Sequence, residues 1–219
     1  MTGRFITLEG GEGAGKSTQA RLLADALCDR GLPVLRTREP GGAPGAELLR
    51  RLLLEGTIDW SPQAETLLHF AARAEHVART IRPALDAGMW VVCDRFYDST
   101  MAYQGYGQGA DRSLIAAQIG LLGLAPDLTL MLDVSPGVAA ARLAGRGGGV
   151  DRYEQRDTAF HARVNDGFRR IAAAEPGRCV MLPADGDLTE VHARIMAAVG
   201  RILPAATATG AARTSPGTR

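Results

Sequence analysis

The sequence contains almost no lysine: Lys16 is the single lysine among 25 basic residues, and the other 24 are arginine. An arginine guanidinium is planar and broad, whereas a lysine ammonium is a compact charge on a flexible stem, so the two do not replace each other in a tight cavity. A chain that uses arginine at every other cationic position is expected to need the ammonium at this one. Lys16 is therefore the first candidate functional residue.

Other features that the sequence lacks exclude whole classes of protein. The formal net charge is +1, so no overall field favours nucleic acid or a membrane surface. No apolar run approaches the roughly 20 residues needed to span a bilayer, and residues 1–11 hold no long apolar segment typical of a secretory signal. Cys28, Cys93 and Cys179 are odd in number and far apart, which favours reduced thiols over disulfides or a metal site. The sequence thus predicts a cytoplasmic protein without nucleic-acid or membrane partners.

Short apolar runs alternate with helical patterns along the chain, which predicts an α/β fold with a mainly parallel sheet. The predicted strands are 5–8, 33–35, 90–93, 128–132 and 179–182. The predicted helices are 17–30, 47–54, 62–87, 136–143, 158–174 and 188–203. The length of 219 residues suits one domain, which we place at residues 1–203, with a mobile lid loop at about 142–156 and a disordered tail at 204–219.

A glycine-rich motif joins the first predicted strand to the first predicted helix. The segment is Gly10, Gly11, Glu12, Gly13, Ala14, Gly15, Lys16, Ser17 and Thr18, and it matches G-x-x-x-x-G-K-[ST]. In such a loop, backbone N–H groups and the following helix N-terminus surround the phosphates of a nucleotide. Lys16 then bridges the β- and γ-phosphates, and the Ser17 hydroxyl ligates Mg²⁺. A chance match is the alternative, but it would not explain why the single lysine lies here, so the motif predicts binding of a nucleoside triphosphate.

The remaining sequence narrows the class of protein. A guanine-specific switch protein would need N/T-K-x-D, which requires a second lysine, and no D-x-x-G follows the second predicted strand. A motor or large ATPase would need a longer chain. Kinases of small molecules remain, and these bind a second, acceptor molecule at the carboxyl edge of the sheet.

Acidic and basic side chains near strand and helix ends indicate what this acceptor is. Asp94 and Arg95 follow the predicted strand 90–93, which suits Asp94 for Mg²⁺ or its waters and Arg95 for a bidentate grip on phosphate. Arg73 lies three residues after Phe70, so a base could stack on Phe70 while its phosphate meets Arg73. Core packing for Phe70 and a solvated position for Arg73 are the alternatives.

Two more arginines, Arg146 and Arg152, flank the glycine run 147–149. This loop could close over the transferring phosphoryl group and bring a cation with it, or it could be an ordinary exposed loop. Several arginines without an isolated carboxylate base favour a monophosphate as acceptor, because its second pKa is near ~6 and it is already an anionic nucleophile at neutral pH.

Four ordered segments carry a resemblance to a known family: LEGGEGAGKST at residues 8–18, TREPGG at 37–42, DRFYDSTMAYQG at 94–105 and PDLTLMLDV at 126–134. With them the sequence resembles bacterial thymidylate kinase. The resemblance implies a P-loop NTPase-type three-layer fold, with a five-stranded parallel sheet flanked by helices and a mobile lid. It also implies a homodimer that uses ATP and Mg²⁺ to convert dTMP to dTDP. A different nucleotide kinase on the same scaffold and a nucleotide-binding regulator without catalysis are the remaining alternatives.

The resemblance implies a role for each residue that matches the motifs. The residues that it places at dTMP are Glu12, Glu39, Phe70, Arg73, Arg95, Thr100, Tyr103 and Gln104. Glu12 and Tyr103 are expected at the deoxyribose, and Thr100 and Gln104 at the polar edge of thymine. Gln108 stands where relatives often have arginine, and no role follows for it.

The acceptor phosphate is expected near Glu39, held by Arg73 and Arg95, with Phe70 stacked on the base. Many relatives place the aromatic residue four positions before the arginine, where this chain has His69, so His69 is the alternative stacking residue.

The phosphate-binding loop departs from some relatives in one further respect. They carry an arginine directly after the acidic residue of this loop, where this chain has Gly13. The lid is then expected to supply the catalytic cation, with Arg152 preferred over Arg146 because it lies where the loop re-enters helical sequence.

Overall fold

The computed structural model describes residues 3–55, 58–145 and 152–203. Its strands are β1 (Phe5–Gly10), β2 (Val34–Arg38), β3 (Trp90–Asp94), β4 (Leu128–Asp133) and β5 (Cys179–Pro183). Its α-helices are α1 (Lys16–Cys28), α2 (Pro44–Leu54), α3 (Pro62–His76), α4 (Arg82–Asp86), α5 (Tyr97–Thr100), α6 (Arg112–Leu122), α7 (Pro136–Gly145), α8 (Thr158–Ala174) and α9 (Leu188–Val199). All five predicted strands are present, within a few residues of the predicted limits.

The five strands form one parallel sheet in the order β2-β3-β1-β4-β5, which confirms the predicted α/β class. Strand β1 is buried along its whole length, as expected of a central strand covered on both faces. After β1 the chain forms β2 and β3 on one side of β1, and it then crosses to the other side of β1 to form β4. The connections therefore diverge at the carboxyl end of β1. This is the position at which open α/β sheets bind ligands.

Helices cover both faces of the sheet, and each face has its own apolar core. On one face, Leu8 and Leu130 of the sheet pack with Leu23 of α1 and Ile195 of α9. On the other face, Met131 packs among side chains of α8. No helix within the described residues is both long enough and apolar enough to cross a membrane.

The predicted helix 62–87 is three elements in the structure. Helix α3 ends at His76, a π-helical turn covers Val77–Ile81, and α4 continues to Asp86. The irregular turn precedes Pro83, which has no N–H to donate and whose ring conflicts with the carbonyl four residues earlier, so a regular α-helical ladder cannot continue there.

The segment 97–122, for which no element was predicted, is largely helical. It contains α5, a π-helical stretch over Met101–Gly107, and α6. The glycines of the π-helical stretch weaken any helical pattern in the sequence. Helix α6 does carry local signals, because the Asp111 carboxylate accepts from Ser113 N at its start and Gly123 ends it in a left-handed conformation. The predicted tail 204–219 and the glycine run of the lid lie outside the described residues.

Candidate active site

The glycine-rich loop connects the end of β1 to the start of α1, as the motif predicts. Gly13 and Gly15 have φ angles of 71° and 87°, a region that side chains with a Cβ rarely adopt. A Cβ on Gly13 would also lie 2.6 Å from the Ala139 carbonyl oxygen of α7. The loop curls around Lys16, whose Nζ donates to the Gly11 carbonyl at 2.7 Å. No side chain among the described residues caps the first turn of α1, so its N–H groups are available to an anion.

Lys16 is buried within this loop and faces charges of both signs. Burial lowers the pKa of its ammonium, and the Arg95 guanidinium lowers it further. The carboxylates of Glu12, Asp94 and Glu9 act in the opposite direction, and the resulting pKa is about 8. Phosphate oxygens in the loop would favour the charged ammonium and reverse this shift.

Ser17 and Asp94 meet where β1 and β3 end side by side, with Leu8 opposite Asp94 in the register. The Ser17 hydroxyl donates to Asp94 Oδ2. Asp94 Oδ1 is buried and has no hydrogen-bond partner among the described residues. A hydroxyl and a carboxylate with a spare oxygen suit a hard cation such as Mg²⁺. The described residues contain no group of three or more His, Cys, Asp or Glu side chains that could hold a metal, so this cation would take most ligands from phosphate and water.

Arg95 follows β3 with a left-handed backbone, φ 70°, which a non-glycine residue adopts only when its surroundings hold it there. Its side chain is held by four partners. Nη1 donates to the Gly10 carbonyl and to Ser99 Oγ, both at 3.1 Å, while Nη2 donates to Glu12 Oε1 at 2.6 Å and to the Tyr103 hydroxyl at 3.1 Å. The guanidinium is therefore fixed at the edge of the phosphate-binding loop.

Glu12 is the shared partner of Arg95 and Tyr103, whose hydroxyl donates to Glu12 Oε1 at 2.6 Å. Burial alone would raise the pKa of Glu12, but the positive charges of Arg95 and Lys16 outweigh it and lower that pKa to about 2. The three residues predicted at the sugar and phosphate thus form one charged cluster around an ionised carboxylate.

Arg73 lies deeper, on α3, and is 3% exposed. Its Nε donates to Glu39 Oε2 at 2.7 Å, and its Nη2 donates to the Phe96 carbonyl at 3.1 Å. Glu39 is held from its other side by His76, with Nδ1 2.9 Å from Oε1. The third nitrogen of Arg73, Nη1, is buried without a hydrogen-bond partner in the described structure. A positioned guanidinium with an unused donor is what a bound phosphate requires.

One cavity of about 800 Å³ joins these groups, a volume typical of small-molecule sites. The predicted residues that line it are Glu12, Gly13, Ala14, Gly15, Lys16, Ser17, Thr18, Glu39, Arg73, Asp94, Arg95, Thr100, Tyr103 and Gln104. They come from five separate stretches of sequence, and the fold brings them together at the carboxyl edge of the sheet.

Phe70, predicted to stack on the base, does not line the cavity. Its ring lies beneath the Arg73 guanidinium, with the guanidinium carbon 4.9 Å from the ring centroid. The cavity wall is formed instead by His69, one residue earlier on α3, whose Nε2 is 2.9 Å from the Tyr153 hydroxyl. Burial, followed by the charges of Arg73, Arg95 and Arg152, lowers the pKa of His69 to about 3. A neutral imidazole therefore occupies the position expected for the stacking aromatic.

Arg152, the preferred lid cation, lies away from the phosphate-binding loop in the structure. Its Nη1 donates to the Leu53 carbonyl at 3.3 Å, and its Nη2 is 3.3 Å from Glu65 Oε2. With these contacts Arg152 does not line the cavity, and its role as the cation that meets the transferring group stays a prediction. The other candidate, Arg146, lies outside the described residues.

Two charged residues, one behind the cavity and one in its wall, were not anticipated from the sequence. Glu65 is completely buried on α3 and accepts from Gln104 Nε2 at 2.7 Å and from Tyr153 at 2.8 Å. Arg142 of α7 lines the other end, where its Nη2 donates to the carbonyls of Ala184 and Gly186, both at 2.9 Å. No local motif marks these residues. Glu65 stands between Ala64 and Thr66 near the start of its helix, where an acidic residue is ordinary and gives no signal of burial.

Comparisons with known proteins agree with this geometry. The family model described as thymidylate kinase matches residues 8–195. A thymidylate kinase from Rhizorhabdus wittichii is 59% identical over 210 residues, covering 93% of this chain and all of the relative. One from Gluconobacter oxydans is 54% identical over 201 residues, 90% of this chain and 94% of the relative. The crystal structure of thymidylate kinase from Ehrlichia chaffeensis superposes with a TM-score of 0.76 at 36% identity, covering 90% of this chain and 98% of that one. This chain belongs to the thymidylate kinase family.

Proposed function

We propose that this chain phosphorylates dTMP to dTDP by direct in-line transfer of the γ-phosphoryl group of ATP. The observation that carries the proposal is the single cavity, which has a phosphate-binding loop around Lys16 at one end and Arg73, Arg95 and Gln104 at the other. A triphosphate and a pyrimidine monophosphate can therefore face each other in one continuous cavity. Such a position would bring the acceptor oxygen and the γ-phosphorus together.

The acceptor phosphate lies between Arg73 and Arg95 in this proposal. Arg73 Nη1 supplies an unused donor, and Arg95 is already oriented by Glu12. Glu39 holds Arg73 rather than the phosphate itself. No general base is needed, because the second pKa of a monophosphate is near ~6 and its dianion is itself the nucleophile at neutral pH.

Mg²⁺ is the proposed cofactor. The Ser17 hydroxyl and the free oxygen of Asp94 would hold it directly or through water, and when bound it neutralises charge on the β- and γ-phosphates. Lys16 contributes a second positive charge from within the loop.

The cation that meets the transferring phosphoryl group is assigned to the lid, with Arg146 now preferred over Arg152. The support is that Arg152 is already engaged by Glu65 and the Leu53 carbonyl. Since Gly13 leaves the phosphate-binding loop itself without an arginine, a lid residue is still required for this charge.

The protein is proposed to act as a homodimer in the cytoplasm. Leucines on α3 and α6 support the dimer, since Leu67 is 50% exposed and Leu121 is 87% exposed and the two helices contact each other. Large exposed leucines of this kind favour burial against a second copy. The three cysteines are free thiols in the structure, in keeping with a reducing compartment.

The test is an acceptor panel of dTMP, dUMP, UMP, AMP and CMP, each with ATP and Mg²⁺, with ADP production measured by a coupled assay. We expect dTMP to give the highest kcat/KM, and a Lys16→Ala variant to give none above background. A faster reaction with another monophosphate would assign a different acceptor. Tight ATP binding without turnover of any acceptor would identify a nucleotide-binding regulator instead.

A further inference from the structure

The carboxylate of Glu65, buried behind the cavity, is surrounded by donors. Its Oε1 accepts hydrogen bonds from Gln104 Nε2 at 2.7 Å, Gln108 Nε2 at 2.8 Å and the Tyr153 hydroxyl at 2.8 Å. On the other oxygen, Arg152 Nη2 at 3.3 Å supplies a counter-charge. A carboxylate can only accept hydrogen bonds, so each group that faces it must present a donor.

This requirement fixes which way the Gln104 side chain points. The two ends of a glutamine amide differ, since the nitrogen donates and the oxygen accepts. In Gln104 the nitrogen is held by Glu65 and also lies 3.3 Å from the Tyr153 hydroxyl. The oxygen accepts no hydrogen bond from the described residues, and Gln104 lines the cavity. The accepting end is therefore the one available to a ligand.

The Tyr153 hydroxyl extends this fixed direction of donors and acceptors to the wall of the cavity. Because its hydroxyl donates to Glu65, its oxygen must accept from its other neighbours, and His69 Nε2 lies 2.9 Å away. His69 then carries its proton on Nε2. Each donor in this network points inward, from the wall of the cavity toward Glu65. Reversing a donor and its acceptor would leave a buried group unpaired.

The direction of the Gln104 amide matters because pyrimidines differ at N3. Thymine and uracil carry an N3–H donor, whereas N3 of cytosine is an acceptor. An amide oxygen matches the first and repels the second, and a reversed amide would do the opposite.

We propose that Glu65 is a specificity-determining positioning residue, which holds the Gln104 nitrogen so that the oxygen meets N3–H and selects thymine or uracil over cytosine. This inference rests on the proposed function, in which Gln104 reads the polar edge of the base. Glu65 itself does not line the cavity, so it acts through Gln104.

The decisive variant is Glu65→Gln, which keeps the shape of the side chain but allows it to donate as well as accept. Gln104 can then turn, and the ratio of kcat/KM for dTMP to that for dCMP is expected to fall by about tenfold or more. The KM for ATP should stay within about twofold of wild type. Glu75→Gln is the matched control, because Glu75 lies on the same helix and pairs with the exposed Arg79, and its ratio should equal that of wild type.

Glu65→Gln leaves Arg152 without its buried counter-charge, which could prevent folding. The double variant Glu65→Gln/Arg152→Gln restores the charge balance and is compared with Arg152→Gln alone. Any loss of kcat common to both acceptors cancels in the ratio, so the ratio still reports base selection. A folded variant of either kind with the wild-type ratio overturns the inference.

Gln104→Ala separates failure of this inference from failure of the site assignment. If Gln104→Ala leaves the ratio unchanged, Gln104 does not read the base and the assignment itself is wrong. If Gln104→Ala lowers the ratio and Glu65→Gln does not, the role of Glu65 alone is overturned. Glu65→Gln should cause no further fall in the Gln104→Ala background, because the two act as a unit. An additive fall would show that Glu65 acts by another route.

Discussion

Arg95 at the end of β3 and Glu12 in the phosphate-binding loop form an ion pair with 2.6 Å between Nη2 and Oε1, in which the side chains are 17% and 13% exposed. The pair joins the acceptor side of the cavity to the nucleotide side. Together with its other partners, Arg95 hydrogen-bonds to four different groups, which a rigid guanidinium can do and an ammonium cannot.

Arg95→Lys is therefore expected to lower kcat/KM for dTMP by about 10²–10³, while the KM for ATP changes by less than about threefold. Steady-state kinetics with each substrate varied in turn measures both values. Arg112→Lys is the control, because Arg112 packs on the Tyr106 ring and does not line the cavity. Equal losses toward both substrates would mean that Arg95 acts on the loop rather than on the acceptor.

Lys16 is expected to react with an amine-selective acylating reagent over an unusual pH range. The pKa of Lys16 is about 8, and the neutral amine is the reactive form. The labelling rate of the free enzyme should therefore increase with pH, with a midpoint near pH 8. ATP with Mg²⁺ should protect Lys16 and move the midpoint upward, since phosphate favours the ammonium. Peptide mass spectrometry follows the labelling and parallel assays follow activity. Full activity after complete modification of Lys16 would refute its role.

His69 is expected to make the protein less stable in acid. Its pKa is lowered from 6.5 to about 3 in the folded state, so between these values the unfolded chain binds the additional proton. The free energy of unfolding should therefore fall as pH falls from 6.5 toward 3. His69→Phe should remove this part of the slope in denaturant titrations and retain dTMP binding. A variant with an unchanged slope would show that His69 does not titrate in this way.

Stacking by His69 is tested by comparing neighbouring positions. His69→Ala should raise the KM for dTMP by about tenfold, whereas Phe70→Leu should change stability more than KM, because Phe70 packs beneath Arg73. The reverse pattern would place the base against Phe70.

Gln104→Ala is expected to raise the KM for dTMP by about ten- to a hundredfold and to leave that for ATP nearly unchanged, because a buried hydrogen bond to the base is lost. Gln63→Ala, at an exposed position on α3, is the control for a general effect of the substitution. A similar rise in both KM values would place Gln104 elsewhere in the mechanism.

The lid arginines are separated by steady-state kinetics on Arg146→Ala, Arg152→Ala and the double variant. Arg146→Ala should lower kcat by about 10²–10⁴ with little change in KM, as the loss of a cation at the transferring group would. Arg152→Ala should act mainly on the KM for dTMP, because Arg152 pairs with Glu65 behind Gln104. A double variant with kcat within about threefold of wild type would show that the lid supplies no catalytic cation.

The sequence alone determined the sheet and the phosphate-binding loop. A strand, a glycine-rich turn and a helix that follow one another are encoded by adjacent residues, and parallel strands with buried faces are continuous apolar runs. The order of the motifs also placed Asp94 and Arg95 at a strand end, where the cavity lies. These features depend on local spacing, so they could be predicted without coordinates.

Only the tertiary structure decided which neighbouring side chain reaches the cavity. His69 and Phe70 are adjacent on one helix, and the rotation of α3 against the sheet turns one toward the cavity and the other beneath Arg73. Glu65, Gln104 and Tyr153 come from distant parts of the chain, and their network exists only once those elements pack. Arg152 has the charge of a catalytic cation in the sequence, but the fold places a buried carboxylate beside it. Contacts between residues far apart in sequence leave no local pattern, because packing rather than spacing creates them.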